Sequence, residues 1–112
     1  MEVIYHDNKW FWGEDTTIVS IDGTSMVSIQ FDNSYPTVAF VRGLCVHSSH
    51  RKKGIGTTLL KLCDKVALKK GKKFLQLNVN KKQDWLVDFY KKNGYTTIYE
   101  DEHEFTMWKQ LY

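Results

Sequence analysis

Residues 46–57 read Val46-His47-Ser48-Ser49-His50-Arg51-Lys52-Lys53-Gly54-Ile55-Gly56-Thr57. Just before them, Val38, Phe40, Arg42, Leu44 and Val46 alternate with Ala39, Val41, Gly43 and Cys45. That is a long strand, mostly apolar on both sides, and so expected at the centre of a sheet. Just after them, Ile55, Leu59, Leu62, Cys63, Val66 and Ala67 follow the spacing of one buried helix face over Gly54–Lys70. The stretch therefore joins a central strand to a helix N-terminus, where unpaired N–H groups and the positive end of the dipole lie. Gly54 and Gly56 let a ligand approach the backbone, and Arg51, Lys52 and Lys53 add positive charge. Together they suit a phosphate or pyrophosphate. Neither glycine begins a Walker A loop, and Leu59 stands where a Rossmann fingerprint needs its third glycine. A glycine-softened loop with surface lysines is the plainer alternative.

Working outward, Val3–His6 reads as a short strand. Thr17–Ile21 and Ser25–Phe31 are β-rich runs joined by Asp22-Gly23, a strong hairpin signal. The long helix should stop at Gly71, after Lys69 and Lys70. Phe74–Val79 alternates as a strand, and a second helix spans Gln83–Lys92 with Trp85, Leu86, Phe89 and Tyr90 as its apolar face. Tyr95–Tyr99 and Phe105–Leu111 are strands around the acidic turn Glu100–Glu104. Hairpins first and βαβ in the middle give an α+β domain: a mixed, mostly antiparallel sheet with helices packed on it. Its length, 112 residues, fits one domain over 1–112.

Composition narrows the class. Hydrophobic residues make up 42% and charged residues 26%, which argues against a largely disordered or fibrous chain. No apolar run is long enough for a membrane helix, and Glu2 stands where a signal peptide wants a base. Two cysteines, Cys45 and Cys63, are too few for a disulfide framework, so free thiols and a cytoplasmic setting are expected. Residues 51–92 hold 13 Lys or Arg against Asp64, Asp84 and Asp88, while the rest of the chain is acidic by 7 charges. That polarity suggests a polyanionic partner for the middle segment, nucleic acid or a phosphorylated cofactor. Nucleic acid calls for exposed aromatics among the lysines. Phe74, Trp85 and Phe89 fall on apolar faces instead, so no nucleic-acid or membrane partner is expected.

A second motif, Phe89-Tyr90-Lys91-Lys92-Asn93-Gly94-Tyr95, closes the second helix. With Leu44-Cys45-Val46-His47 and Arg51-Lys52-Lys53-Gly54-Ile55-Gly56 ahead of it, the chain resembles the GNAT superfamily of acyl-CoA-dependent N-acetyltransferases over roughly residues 17–109. The resemblance implies a GNAT-like fold with a βαβ acetyl-CoA-binding core. It also implies acetyl transfer from acetyl-CoA to an amine acceptor by direct attack, with no metal. Backbone near Leu44, Cys45 and Val46 would hydrogen-bond the pantetheine arm. The backbone of Arg51, Lys52, Lys53, Gly54, Ile55, Gly56 and Thr57 would wrap the pyrophosphate. Gln83, a longer amide than the family's usual Asn, would contact the pantetheine, and Tyr90 would protonate the leaving thiolate.

The chain also departs from the family. Fewer than 20 residues precede the Thr17 strand, where the family usually carries two helices forming one wall of the acceptor site. That wall is expected to be absent, very short, or supplied by a second subunit, which makes a homodimer the expected assembly. Trp10 and Trp12 read as core or dimer anchors. Phe40 replaces the Glu that some members use as general base, and neither cysteine occupies a nucleophile's place. His47 is expected to be structural or solvent-facing, and His103 to lie in an exposed turn. The acids outside residues 51–92 favour a cationic acceptor. The missing wall and missing acid also keep open a non-catalytic acyl-CoA-binding or interaction module.

Overall fold

The computed structural model describes residues 2–9, 14–50 and 54–112, with the backbone alone for Asn8, Lys9, Glu14 and His50. The elements are β1 (Val3–Lys9), β2 (Glu14–Ile21), β3 (Ser25–Asp32), β4 (Val38–Cys45), α1 (Ile55–Lys69), β5 (Phe74–Asn80), α2 (Trp85–Lys92), β6 (Thr96–Glu100) and β7 (Glu104–Gln110). Short 3-10 turns at Ser48–His50 and Lys81–Gln83 precede the two helices. The strands form one sheet in the order β1-β2-β3-β4-β5-β7-β6. Only β4 and β5 run parallel; every other neighbouring pair is antiparallel. This is the mixed α+β sheet that the pattern implied.

Local chemistry sets the connections. Asp22 and Gly23 take φ of 53° and 69°, the double left-handed turn that keeps the β2–β3 hairpin in register. α1 ends as Gly71 N–H bonds the Leu68 carbonyl and Lys72 N–H that of Ala67, a Schellman stop. Two strands run further than their apolar residues suggest. β1 continues through Asp7 and Lys9, and β2 starts at Glu14 rather than Thr17, because these polar residues pair with one another. Thr17 Oγ1 donates to Asp7 Oδ1 at 2.6 Å within this ladder. The expected anchors Trp10 and Trp12 lie outside the described residues.

Alternation along β4 breaks at Gly43, where φ is 60°. Met26 pairs with Cys45 but Ser28 pairs with Arg42, so two β4 residues bulge against one on β3. Arg42 and Cys45 thus share a face, and the strict even–odd division read from sequence holds only up to Arg42.

One sheet face carries the core. Val19, Ile29, Phe31, Ala39, Val41, Leu75 and Met107 pack with Leu59, Leu60, Cys63 and Ala67 of α1. α1 lies across β2 to β5. Burying leucines of this kind contributes roughly 1.5–3 kcal/mol each. α2 sits beside α1 on the same face, with Phe89 against Gly56, while Lys109 of β7 reaches Asp64 of α1 at 2.6 Å. The opposite face, carrying Ser28, Gln30, Phe40, Arg42 and Gln76, has no helix over it among the described residues.

The feature that positions the site is a split in the sheet. β4 and β5 pair only through Val38–Phe74, Ala39–Leu75 and Phe40–Gln76. Beyond them β4 stays with β3 and β5 with β7, so the two parallel strands part in a V.

Candidate functional site

A cleft of about 740 Å³ opens at the V. Its walls come from three elements: Leu44, Cys45 and Val46 at the end of β4, Gly54 to Thr57 at the start of α1, and Gln83, Trp85, Leu86 and Phe89 at the start of α2. All the residues that the motifs marked for cofactor contact, where described, line this one cleft. Arg51, Lys52 and Lys53 lie outside the described residues.

The start of α1 suits an anion. The first helical hydrogen bond runs from Thr58 N–H to the Gly54 carbonyl at 2.9 Å, so the N–H groups of Ile55, Gly56 and Thr57 stand ahead of the ladder. Gly54 makes no side-chain cap and the first turn has no acid, so neither occupies the positive end of the dipole. Gly54 sits at φ 75° with open space around its α-carbon, a conformation that glycine adopts without strain. Gly56 serves a different need: a Cβ there would come 3.0 Å from Phe89 Cζ and 3.5 Å from Val46 Cγ2. Its missing side chain lets α1, α2 and the end of β4 converge.

Polar and apolar parts of the cleft are divided. Trp85, Leu86 and Phe89 give an apolar side, which meets the start of α1 where Phe89 packs on Gly56. Their spacing puts these three on the apolar face of the second helix. Trp85 is in fact 65% exposed, the signal being a large ring at the first turn of a short helix. Leu44 to Val46 continue β4 beyond its last pair with β5, leaving the strand edge on that side without a strand partner.

Tyr90 does not line the cleft. It is buried in the core one residue beyond Phe89, with ring centroids 5.4 Å from Phe89 and 5.7 Å from Tyr95. Burial raises its phenol pKa above the ordinary value, with a further push from Cys63. Cys63 is buried and its thiol is pushed up to about 12 by desolvation, then by Asp64, so it stays protonated. Cys45 is exposed. His47 is tied at two points: its backbone N–H donates to Ser25 Oγ at the start of β3 at 2.9 Å, and its ring Nδ1 lies 2.8 Å from Ser49 Oγ in its own loop. His103 is exposed in the acidic turn, where Asp101 Oδ1 accepts the His103 and Glu104 N–H groups. These two bonds hold the Asp101 carboxyl below its ordinary pKa.

Comparison with solved structures shows where this architecture recurs. A GNAT family acetyltransferase from Elizabethkingia anophelis with acetyl-CoA bound superposes with a TM-score of 0.73 at 11% identity, covering 96% of this chain and 97% of that one. PaiA N-acetyltransferase from Thermoplasma acidophilum, in complex with coenzyme A, gives 0.72 at 25% identity over 85% of this chain and 59% of that one. Nourseothricin acetyltransferase gives 0.76 at 16% identity over 98% and 85%. No curated protein matches the sequence. The family model described as Acetyltransferase (GNAT) family matches residues 4–95, spanning β1 to the end of α2 with the V, the Gly54–Thr57 turn and the cleft between them. The chain belongs to the GNAT acetyltransferase family.

Proposed function

We propose that the chain transfers an acetyl group from acetyl-CoA to an amine acceptor by direct attack. What carries this reading is the convergence, in one cleft, of an uncapped helix N-terminus, an unpaired strand edge and an apolar wall. These suit the phosphates, the amide-rich arm and the hydrophobic parts of acetyl-CoA in turn. The neutral amine attacks the thioester carbonyl, a C–N bond forms and the C–S bond breaks. The N–H groups of the parted β4 edge would polarise the carbonyl, and Tyr90 would give its proton to the departing sulfur. The amine loses its own proton to water, and Tyr90 regains one from water, so that the net change is amide and coenzyme A thiol. Cys63, protonated and buried, takes no part as a nucleophile. Arg51 to Lys53 would add charge around the pyrophosphate, and Gln83 an amide near the pantetheine. A cationic acceptor, a homodimer and a reducing, cytoplasmic setting belong to the same reading.

Acetyl-CoA should bind and raise the melting temperature, more weakly at high salt, because its phosphate contacts are partly ionic. Gly54→Asp meets open space and a conformation that Asp tolerates, but puts a carboxylate at the anion site. It should fold and lose the stabilisation; equal stabilisation of both proteins by acetyl-CoA overturns the assignment. A second reading, a non-catalytic acyl-CoA-binding module, draws on the uncovered sheet face and on Phe40 in place of an acid. Binding of acetyl-CoA without coenzyme A release, over a broad panel of amines, would decide for it.

A further inference from the structure

On the sheet face away from the helices lies a second pocket, of about 320 Å³. Phe40 and Gln76, the last pair joining β4 to β5, are part of its lining. It therefore sits at the foot of the same V that the cleft enters from the other side. We propose that this pocket is the acceptor site and that it selects an amine with a carboxylate beside the reacting nitrogen and a second cationic group at the far end of an apolar spacer. A basic amino acid has this pattern. The proposal rests on the acetyl-transfer reading and adds the substrate class.

The lining residues stand in an order. Arg42 is toward the open end of the V, its guanidinium 5.4 Å over the Phe40 ring. Val38 and Phe40 give an apolar floor, and Tyr35 stands edge-on to Phe40 with centroids 5.4 Å apart. Asp32 closes the far end, one residue beyond the Phe31–Ala39 pair and on the same face as Gln30. Its Oδ1 accepts the Ser34 N–H at 2.8 Å. Neither Arg42 nor Asp32 joins an ion pair among the described residues. The step from the Phe40 level to the Asp32 level is two residues of strand, about 6–7 Å. A lysine-length methylene spacer spans that distance.

Each charge excludes a simpler acceptor. A plain diamine would set an ammonium against Arg42. An apolar amino acid would cover Asp32 without pairing it, a costly desolvation. A carboxylate on the guanidinium fork and an ammonium on Asp32 satisfy both. Arg42 has a second effect: a fixed cation near the reacting amine favours its neutral, nucleophilic form. That eases the need for an acid at the place of Phe40.

The test is coenzyme A release from acetyl-CoA with L-lysine, with norleucine, which lacks the distal cation, and with cadaverine, which lacks the carboxylate. Lysine should exceed each by at least about tenfold in kcat/KM, the scale of one charge-assisted hydrogen bond. Arg42→Gln should erase the preference over cadaverine, and Asp32→Asn the preference over norleucine. Asn keeps an acceptor for Ser34, so the turn survives. Calorimetric binding of L-lysine to wild type and both variants should show the same dependence without turnover. Acetylation of other amines with no preference for lysine, or preferences unchanged in the variants, overturns this proposal and leaves acetyl transfer standing. Failure of acetyl-CoA to bind the wild type overturns both.

Discussion

Tyr90 is the residue to which we assign the acid's role in the proposed transfer. It was legible only through the Phe89-to-Tyr95 motif, since periodicity alone makes it a core tyrosine, and the structure does bury it. The raised phenol stays protonated through neutral pH, as an acid must, but the acid's role also requires its hydroxyl to reach a cleft that Tyr90 does not line, so the two roles make opposite predictions. Tyr90→Phe keeps the ring packing on Phe89 and Tyr95 and removes the proton. It should lower kcat by about 10²–10⁴ with little change in acetyl-CoA affinity or melting temperature. A kcat within about threefold of wild type, well under 1.4 kcal/mol, would make Tyr90 structural only. Because burial raises its pKa, any alkaline loss of activity through Tyr90 should have its midpoint above that of an ordinary phenol. Trp85 shows the reverse case. Its place on an apolar stripe suggested burial, and the shortness of α2 leaves it at the surface instead.

Among the elements, α1 was the most readable, its apolar spacing and its glycine stop both matching the structure. β1 and the first residues of β2 were the least readable. Their strand character comes from each other, through the ladder from Val3–Ile21 to Lys9–Asp15, and not from residue type. The bulge at Gly43 was invisible for a related reason, since a two-against-one register is a property of a pair of strands. The cleft was legible where backbone geometry makes it, at Leu44–Val46 and Gly54–Thr57. On the α2 side only Gln83 was legible, because no spacing within α2 says that Phe89 meets Gly56. That meeting makes a testable claim. Gly56→Val should cost about 1–3 kcal/mol in urea unfolding by forcing Phe89 and Val46 aside. If the midpoint does not move, the two helices are less closely seated than described.

At the scale of the molecule, the helices among the described residues cover one face of the sheet, and Ile4 and Met26 are exposed at 47% and 40%. A second copy supplying the missing wall would account for such a face. Light scattering should then give twice the chain mass of 13.2 kDa at working concentration; the single-chain mass would remove the dimer. The three pairs between β4 and β5 have a mechanical consequence as well. They are the narrow bridge between a four-stranded leaf, β1 to β4, and a three-stranded leaf, β5 to β6, with α1 laid across as the brace and the Asp64–Lys109 contact as its rivet. A substrate arm lying in the gap along the β4 edge, as proposed above, would do part of the work of an eighth strand. The cofactor would then act as a splint, stiffening the one narrow joint between the two leaves.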